Sequence, residues 1–176
     1  MEQRPDEVRE RAVRDAVLAG DRAAWRWWYD QHFDPLAAYV RWRCGGVADL
    51  ADDVVQETWL TVVRRLPAFD PAKGPFFAWL CGIASNAARN AVRSRKRRRE
   101  APLTTDHAAP DPQDPERIAA ALAALPEHYE AVLRAKYLDR RTVDEIAAAR
   151  GESAKAVESL LGRARQAFRE AYEPDE

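Results

Sequence analysis

Apolar side chains recur every three or four residues along most of the chain, which is the spacing that places them on one face of an α-helix. Before residue 101 the pattern predicts helices over 5–19, 22–33, 35–44, 49–66 and 75–99. After residue 114 it predicts four more, over 115–124, 127–138, 142–150 and 153–171. Cap and turn residues suggest the boundaries: Gly20 ends the first helix, Asp21 and Asp49 are predicted N-caps, and Pro35 is predicted to begin a helix. The sequence therefore predicts an all-α fold.

The stretch between the two groups of helices lacks this pattern. Residues 101–115, APLTTDHAAPDPQDP, hold four of the 11 prolines, three aspartates and no basic residue. Proline fixes φ and removes a backbone donor, so we expect an extended, flexible linker here. The predicted organisation is an N-terminal helix over 1–20, a helical-bundle domain over 21–100, a linker over 101–114 and a helix-turn-helix domain over 115–176.

Composition and charge exclude several classes of protein. Charged residues make up 32% and hydrophobic residues 47% of the chain, which excludes wholesale disorder. No apolar run approaches the ~18 residues of a membrane span, and the polar N-terminus is unlike a signal peptide. The two cysteines, Cys44 and Cys81, lie outside any CxxC motif, which favours a reducing compartment. We therefore expect a cytoplasmic protein with no membrane insertion.

The helix predicted over 75–99 is strongly basic. Residues 76–99 hold seven positive charges and no negative one. At about 100° per residue, one face of this helix collects polar and aromatic side chains, namely Trp79, Asn86, Asn90, Arg93 and Arg97. Amides can bond base edges, arginines can pair with phosphates, and an indole can stack on an unpaired base. A solvated helix end that only aids solubility is the alternative, but the shared face favours nucleic acid as partner.

The helix predicted over 49–66 is amphipathic and acidic. Its expected buried side consists of Leu50, Val54, Val55, Thr58, Trp59 and Val62. The opposite side presents Asp49, Asp53, Gln56 and Glu57, with Leu60 among them. An apolar residue surrounded by polar ones is typical of an interface anchor. It is equally typical of an ordinary surface helix with one exposed leucine, and periodicity leaves both possibilities open.

Residues 142–168, TVDEIAAARGESAKAVESLLGRARQAF, have the pattern of a helix-turn-helix. Thr142 and Glu145 have capping-box spacing, Gly151 permits a tight turn, and Ser153 can cap the second helix. The predicted inward positions are Ile146, Ala147, Val157, Leu161, Ala164 and Phe168. The outward face carries Lys155, Ser159, Gly162 and Gln166, flanked by Arg163, Arg165 and Arg169. Such a helix can enter a major groove, although a generic helical hairpin would show the same spacing.

Three stretches, taken in order, resemble the extracytoplasmic-function (group 4) sigma factors of the sigma-70 family. They are DLADDVVQETWLTVV, FFAWLCGIASNAARNAVRSRKRR and LPEHYEAVLRAKYLDRRTVDEIAAARGESAKAVESLLGRAR. The first two are similar to region 2, a helical bundle, and the third is similar to region 4, a helix-turn-helix. The resemblance covers about residues 20–171, and the order and spacing of the motifs make it specific.

This resemblance implies a protein that binds bacterial core RNA polymerase and directs promoter recognition, DNA melting and transcription initiation, without cofactor, metal or catalytic residue. The polymerase contacts it implies are the clamp helices of the β′ subunit and the β flap. For the clamp helices the resemblance implicates Asp49, Asp53, Gln56, Glu57 and Leu60. For the −10 element it implicates Trp79, Asn86, Arg89, Asn90, Arg93 and Arg97, with Phe69 near a flipped base. The candidate −35 contacts are Lys155, Ser159, Arg163 and Arg165.

The recognition helix departs from the family pattern at three positions. Where relatives often have TVKSRLHRAR, this chain has AVESLLGRAR, so Glu158, Leu160 and Gly162 replace other side chains. A glutamate can accept a hydrogen bond from cytosine, but close to phosphates it lowers affinity. The −35 sequence is therefore not predictable from the resemblance.

Other classes of protein fit the sequence less well. An enzyme is disfavoured because HExxH, GxSxG and Walker A motifs are absent and the three histidines are scattered. A zinc-binding anti-sigma protein is also disfavoured, because the HxxxCxxC pattern expected of it is absent from the sequence. The main alternative is a stand-alone helix-turn-helix regulator, which leaves the acidic and basic helices without a task. No sensor pattern follows residue 171, so we expect regulation by another protein, an anti-sigma factor.

Overall fold

A computed structural model describes residues 5–100 and 114–172, and this part of the chain folds into eight α-helices without a β-strand. The helices are α1 (Pro5–Leu18), α2 (Arg22–Arg43), α3 (Ala48–Arg65), α4 (Phe76–Glu100), α5 (Pro115–Ala124), α6 (Glu127–Leu133), α7 (Val143–Arg150) and α8 (Ala154–Tyr172). A 3₁₀ turn, Leu66–Ala68, follows α3, and a π-helical turn, Arg134–Leu138, follows α6. The all-α prediction is confirmed. Nearly all of the expected linker, up to residue 113, lies outside the described residues.

The predicted helix break at Pro35 is wrong, because α2 runs through it without interruption. Proline there removes one backbone donor. The continuous helix, however, buries a single face on both sides of it, including Trp28, Leu36 and Val40. Burial of these large side chains outweighs the loss of one hydrogen bond. The Asp21 N-cap is confirmed, since its carboxylate accepts from the backbone N–H groups of residues 23 and 24 at 2.8 and 3.1 Å.

The predicted N-cap of α3 is also wrong. The helix begins at Ala48 with Val47 in the cap position, and Asp49 lies inside the first turn. There its negative charge is still favourable, because it faces the positive end of the helix dipole. The preceding turn is built from Gly45 and Gly46, whose φ angles are +63° and +88°.

Helices α2, α3 and α4 form the first hydrophobic cluster, and α1 packs against it through Val13 and Val17. Of the predicted inward residues of α3, Leu50, Val54, Thr58, Trp59 and Val62 are buried and Val55 is half-buried. On α4, Ala88 and Val92 are buried while Ala87 and Ala91 are half-buried, and α5 packs against this helix as well as α2 and α3.

Helices α5 to α8 form the second hydrophobic cluster, in which α7, the turn at Gly151 and α8 make the predicted helix-turn-helix. The capping box is confirmed: the Thr142 hydroxyl accepts from the Glu145 N–H at 3.2 Å, and the Glu145 carboxylate accepts from the Thr142 N–H at 2.7 Å. These two hydrogen bonds lower the pKa of Glu145. Gly151 adopts φ +66°, and the Ser153 hydroxyl accepts from the backbone N–H of residue 156 at 3.2 Å.

The two clusters meet along α5. Arg43 is 1% exposed, and its guanidinium donates to the carbonyl of Leu122 at 2.9 Å and to the Ser85 hydroxyl at 3.0 Å. Nearby, the buried Tyr39 hydroxyl donates to the Glu130 carboxylate at 3.2 Å. Burial, with the Glu130 charge second, raises the pKa of Tyr39 well above its usual range. The halves before and after the linker are therefore packed against each other.

Both cysteines are buried, free thiols in the first cluster, Cys44 just after α2 and Cys81 on α4. Burial raises the pKa of each thiol to about 11. Among the described residues, no helix is both long and apolar enough to cross a bilayer.

Candidate protein and nucleic-acid interfaces

The five predicted polymerase-binding residues lie together on the exposed side of α3. We call Asp49, Asp53, Gln56, Glu57 and Leu60 the α3 surface; all are exposed to solvent. Leu60 is 50% exposed and lies among these polar and acidic side chains. The Glu57 carboxylate accepts from Arg64 at 2.9 Å and from the Thr61 hydroxyl at 3.2 Å.

An apolar groove lies beside the α3 surface, between α2 and α3. It encloses about 420 Å³ and is lined mainly by Tyr29, Phe33, Val55, Trp59, Leu60 and Val63. Val63, 58% exposed, was missed by the sequence analysis. The available signal was the i, i+4, i+7 spacing of Gln56, Leu60 and Val63, which places Val63 on the outward face despite its apolar side chain. The arrangement suits a helix that offers apolar side chains with positive charges around them.

The basic face of α4 is exposed along most of its length. We call Trp79, Asn86, Asn90, Arg93 and Arg97 the α4 surface; Trp79 is half-buried and the other four are exposed. A groove of about 470 Å³ lies among Asn90, Arg93, Lys96 and Arg97. Arg89 is half-buried at the edge of this face. The amides and guanidinium groups are thus placed side by side, with an indole at one end.

Phe69 does not lie on this face. It is 2% exposed, and its ring centroid lies 5.1 Å from that of Trp79 and 5.4 Å from that of Phe76. The Phe69 ring therefore lies in the first hydrophobic cluster, and its approach to a flipped base stays a prediction. Burying the ring contributes about 2 kcal/mol, which favours an inward position. Phe69 packs against the Trp79 ring.

His32 lies beneath the start of α4. Its ring centroid is 5.0 Å from that of Phe76 and 6.0 Å from that of Phe77. Burial among these rings lowers the pKa of His32 from its usual value.

The predicted −35 contacts lie on the outer face of α8. We call Lys155, Ser159, Arg163 and Arg165 the α8 surface, and all four are exposed. Leu160, one of the departures from the family pattern, is buried in the second cluster and is not available to DNA. Glu158 is exposed beside the α8 surface. Within residues 5–100 and 114–172 no cluster of His, Cys, Asp and Glu could hold a metal ion.

Comparison with known proteins identifies the family. Residues 28–98 match the model of sigma-70 region 2, and residues 116–168 match that of sigma-70 region 4. RNA polymerase sigma factor CarQ of Myxococcus xanthus is 37% identical over 130 residues, which cover 69% of this chain and 74% of CarQ. ECF RNA polymerase sigma factor SigF of Caulobacter vibrioides is 32% identical over 170 residues, which cover 93% of this chain and 94% of SigF. The chain belongs to the extracytoplasmic-function sigma factors.

This sigma factor directs promoter-specific initiation of transcription, and its partners are RNA polymerase and promoter DNA. Sigma factors are regulators of transcription that act with RNA polymerase. The stand-alone regulator is not supported, because the region 2 match spans the acidic helix α3 and the basic helix α4, for which that alternative gives no function. The α3 and α4 surfaces lie in region 2, and the α8 surface lies in region 4.

A solved structure shares the arrangement of both regions. The structure of CnrH in complex with the cytosolic domain of CnrY has a TM-score of 0.54 and 28% sequence identity to this sigma factor. The match covers 97% of this chain and 99% of CnrH. Both halves of the fold therefore have counterparts in that protein.

Proposed function

We propose that this sigma factor binds the clamp helices of the polymerase β′ subunit through the α3 surface and the neighbouring groove. The observation that carries the proposal is the exposure of Leu60 and Val63 beside three acidic side chains. An exposed apolar pair is costly in water and becomes favourable when a partner covers it. The acids around it favour a partner that carries positive charge.

The α4 surface is proposed to bind the −10 element. Asn86 and Asn90 are exposed amides that can bond to base edges, while Arg93 and Arg97 can neutralise phosphates. Trp79 offers part of an indole face on which an unstacked base can rest. Strand separation then follows from the binding energy of the melted form, so the proposed function needs no catalytic residue.

The α8 surface is proposed to bind the −35 element. Its three cations and one hydroxyl lie on the outer face of the second helix of a helix-turn-helix, the element that enters a major groove in other proteins of this architecture. We propose residues 115–176 as the region 4 domain and the β flap as its polymerase contact. Residues 1–20, 21–100 and 101–114 are proposed as N-terminal helix, region 2 domain and linker.

An anti-sigma factor is the proposed regulator. CnrH was solved with the cytosolic domain of a second protein, CnrY, and its fold covers this chain almost completely. The apolar groove between α2 and α3 offers such a protein a surface that the polymerase also needs. The cytoplasm is the proposed site of action, because the polymerase works there.

Transcription in vitro tests the proposal most directly. Core RNA polymerase and genomic fragments from the organism that encodes the chain are incubated with and without the purified protein. We expect a small set of fragments to be transcribed only when the protein is present. Transcription that is identical in both reactions, together with no co-elution with core polymerase, would overturn the proposal.

A further inference from the structure

Helix α1 precedes the residues matched to region 2, which begin at residue 28, yet it contacts the loop in front of α4. This loop, residues 69–75, leads directly into the helix that carries the α4 surface. Two side chains of α1, Glu10 and Arg14, form hydrogen bonds with the two ends of the loop. The family match alone assigns these side chains no task.

The Glu10 carboxylate provides a hydrogen-bond acceptor for the N-terminus of α4. The carbonyl of Pro75 accepts the first intrahelical bond, from Trp79, so the N–H groups of residues 76 to 78 have no partner within the helix. Pro75 has no side-chain acceptor that could cap them. The Glu10 carboxylate reaches across from α1 and accepts from the Phe76 N–H at 2.9 Å. A negative charge at this end of the helix is also favoured by the helix dipole.

Arg14 holds the other end of the loop. Its Nη1 donates to the backbone carbonyl of Phe69 at 2.9 Å. Its Nε and Nη2 donate to the Asp15 carboxylate at 3.0 and 2.8 Å, which fixes the plane of the guanidinium. The Phe69 backbone is therefore bound to α1 while its ring supports Trp79 on the α4 surface.

We propose that Glu10 and Arg14 are positioning residues for −10 recognition. By fixing Phe69 and Phe76, they hold the loop and the Trp79 ring in the arrangement that accepts an unstacked base. Their contribution is separate from polymerase binding, because their hydrogen bonds run to Asp15 within α1, to Phe69 and to Phe76, and not to the α3 surface. This inference rests on the proposed function of the α4 surface.

The test uses the full-length protein with four substitutions. Glu10→Ala and Arg14→Ala remove the two contacts, and Glu10→Gln retains an oxygen that can accept from Phe76. Arg9→Ala is the matched control, because Arg9 lies on the same helix and its guanidinium carbon is 4.7 Å from the ring centroid of Trp27 on α2. Hydrogen exchange is measured over residues 69–80. Core affinity and open-complex formation are measured on the promoter fragment that the wild-type holoenzyme transcribes best.

We expect Glu10→Ala and Arg14→Ala to speed exchange in the loop and to reduce open-complex formation, each about tenfold, at unchanged core affinity. Arg9→Ala should match the wild type in all three measurements, and Glu10→Gln should recover most of the loss. The inference would be overturned if Glu10→Ala and Arg14→Ala both showed the same hydrogen-exchange rate, or the same open-complex formation, as the Arg9→Ala control. It would also be overturned if their core affinity fell by as much as their open-complex formation. A wild-type protein that does not bind core would instead overturn the proposed function, while the exchange rates would still decide whether α1 fixes the loop.

Discussion

Arg43, the last residue of α2, donates a hydrogen bond to the carbonyl of Leu122 in α5 across 2.9 Å, inside the contact between region 2 and region 4. The guanidinium is almost fully buried, so a charged donor lies where water cannot replace the carbonyl. A buried charge without its partner is costly, and this cost favours one alignment of the two halves over others. The contact is therefore specific as well as apolar.

Gly45→Ala should loosen this contact. A Cβ at Gly45 would lie 1.9 Å from the carbonyl oxygen of Pro115, whereas a Cβ at Gly46 would meet nothing within 4 Å. Both glycines have positive φ, so both substitutions carry a backbone strain of about 1 kcal/mol. We expect Gly45→Ala to lower the free energy of urea unfolding by at least about 1 kcal/mol more than the Gly46→Ala control. Equal losses would show that α5 does not pack on this turn.

Leu60→Arg should weaken binding to core polymerase. The substitution places a positive charge where the proposed partner is itself positive and removes an apolar contact, which predicts a loss of about 2 kcal/mol. Leu18→Arg is the matched control, because Leu18 is also an exposed leucine but lies on α1. Circular dichroism should show intact helices in both variants. Core affinity that is the same for both would exclude the α3 surface as the docking site.

Asn86→Ala and Asn90→Ala should alter which promoters are used, since amides contact base edges. Each lost base contact is expected to cost about 1–3 kcal/mol at its own position of the −10 element. Arg97→Ala should lower affinity evenly across sequences and reduce the dependence on salt. Competition across a library of −10 variants separates the two patterns. If all three substitutions give the same profile, the assignment of base and phosphate contacts is wrong.

Glu158→Lys should strengthen binding to promoter DNA. The change removes a negative charge beside the α8 surface and adds a positive one, so more counterions are released on binding. We expect the gain to fall about threefold between about 50 and about 200 mM salt. Asp30→Lys, an exposed position on α2, makes the same change in net charge away from α8. Equal affinities for the two variants at low salt would show that Glu158 does not approach DNA.

His32 should make stability depend on pH. Its pKa is lowered in the folded state from the usual 6.5, so below about pH 6.5 the unfolded chain binds a proton more readily than the folded one. Stability should be constant above that pH and fall as the pH drops, by at most about 1.4 kcal/mol per unit. Urea midpoints from pH 8 to pH 5 measure the slope. His32→Gln should reduce this slope, and an unchanged slope would show that another group causes the pH dependence.

The periodicity of apolar residues was sufficient to predict the second half of the fold. Strong local signals, such as the capping box of Thr142 and the left-handed turn at Gly151, depend only on neighbouring residues. The break predicted at Pro35 failed because the cost of one lost hydrogen bond is local, whereas the burial that outweighs it comes from α3 and α4. Such competition cannot be judged from one helix alone.

For the site residues, too, local patterns were predictive and contacts between distant elements were not. The outward faces of α3, α4 and α8 follow from the 3.6-residue repeat, and the structure exposes their predicted residues except Trp79 and Arg89, which are half-buried. The burial of Phe69 could not be predicted, because a loop has no periodicity from which burial can be inferred. Val63 was missed because its apolar side chain argued for burial, while its position on the helix argued for exposure. The hydrogen bonds of Glu10 and Arg14 span more than 50 residues of sequence, and no local pattern predicts them.

The reactivity of the two buried thiols, Cys44 and Cys81, reports how often the fold opens transiently. A thiol with a pKa of about 11 is almost wholly protonated at neutral pH, and only the exposed thiolate reacts with alkylating reagents. Alkylation must therefore wait for a transient opening, so its rate reports the frequency of that event. Cys81 lies near Arg134 and Glu130 of the second half, and Cys44 lies between Arg43 and Gly45, which both contact α5. Labelling of either thiol would thus time the separation of the two halves in the unmodified chain.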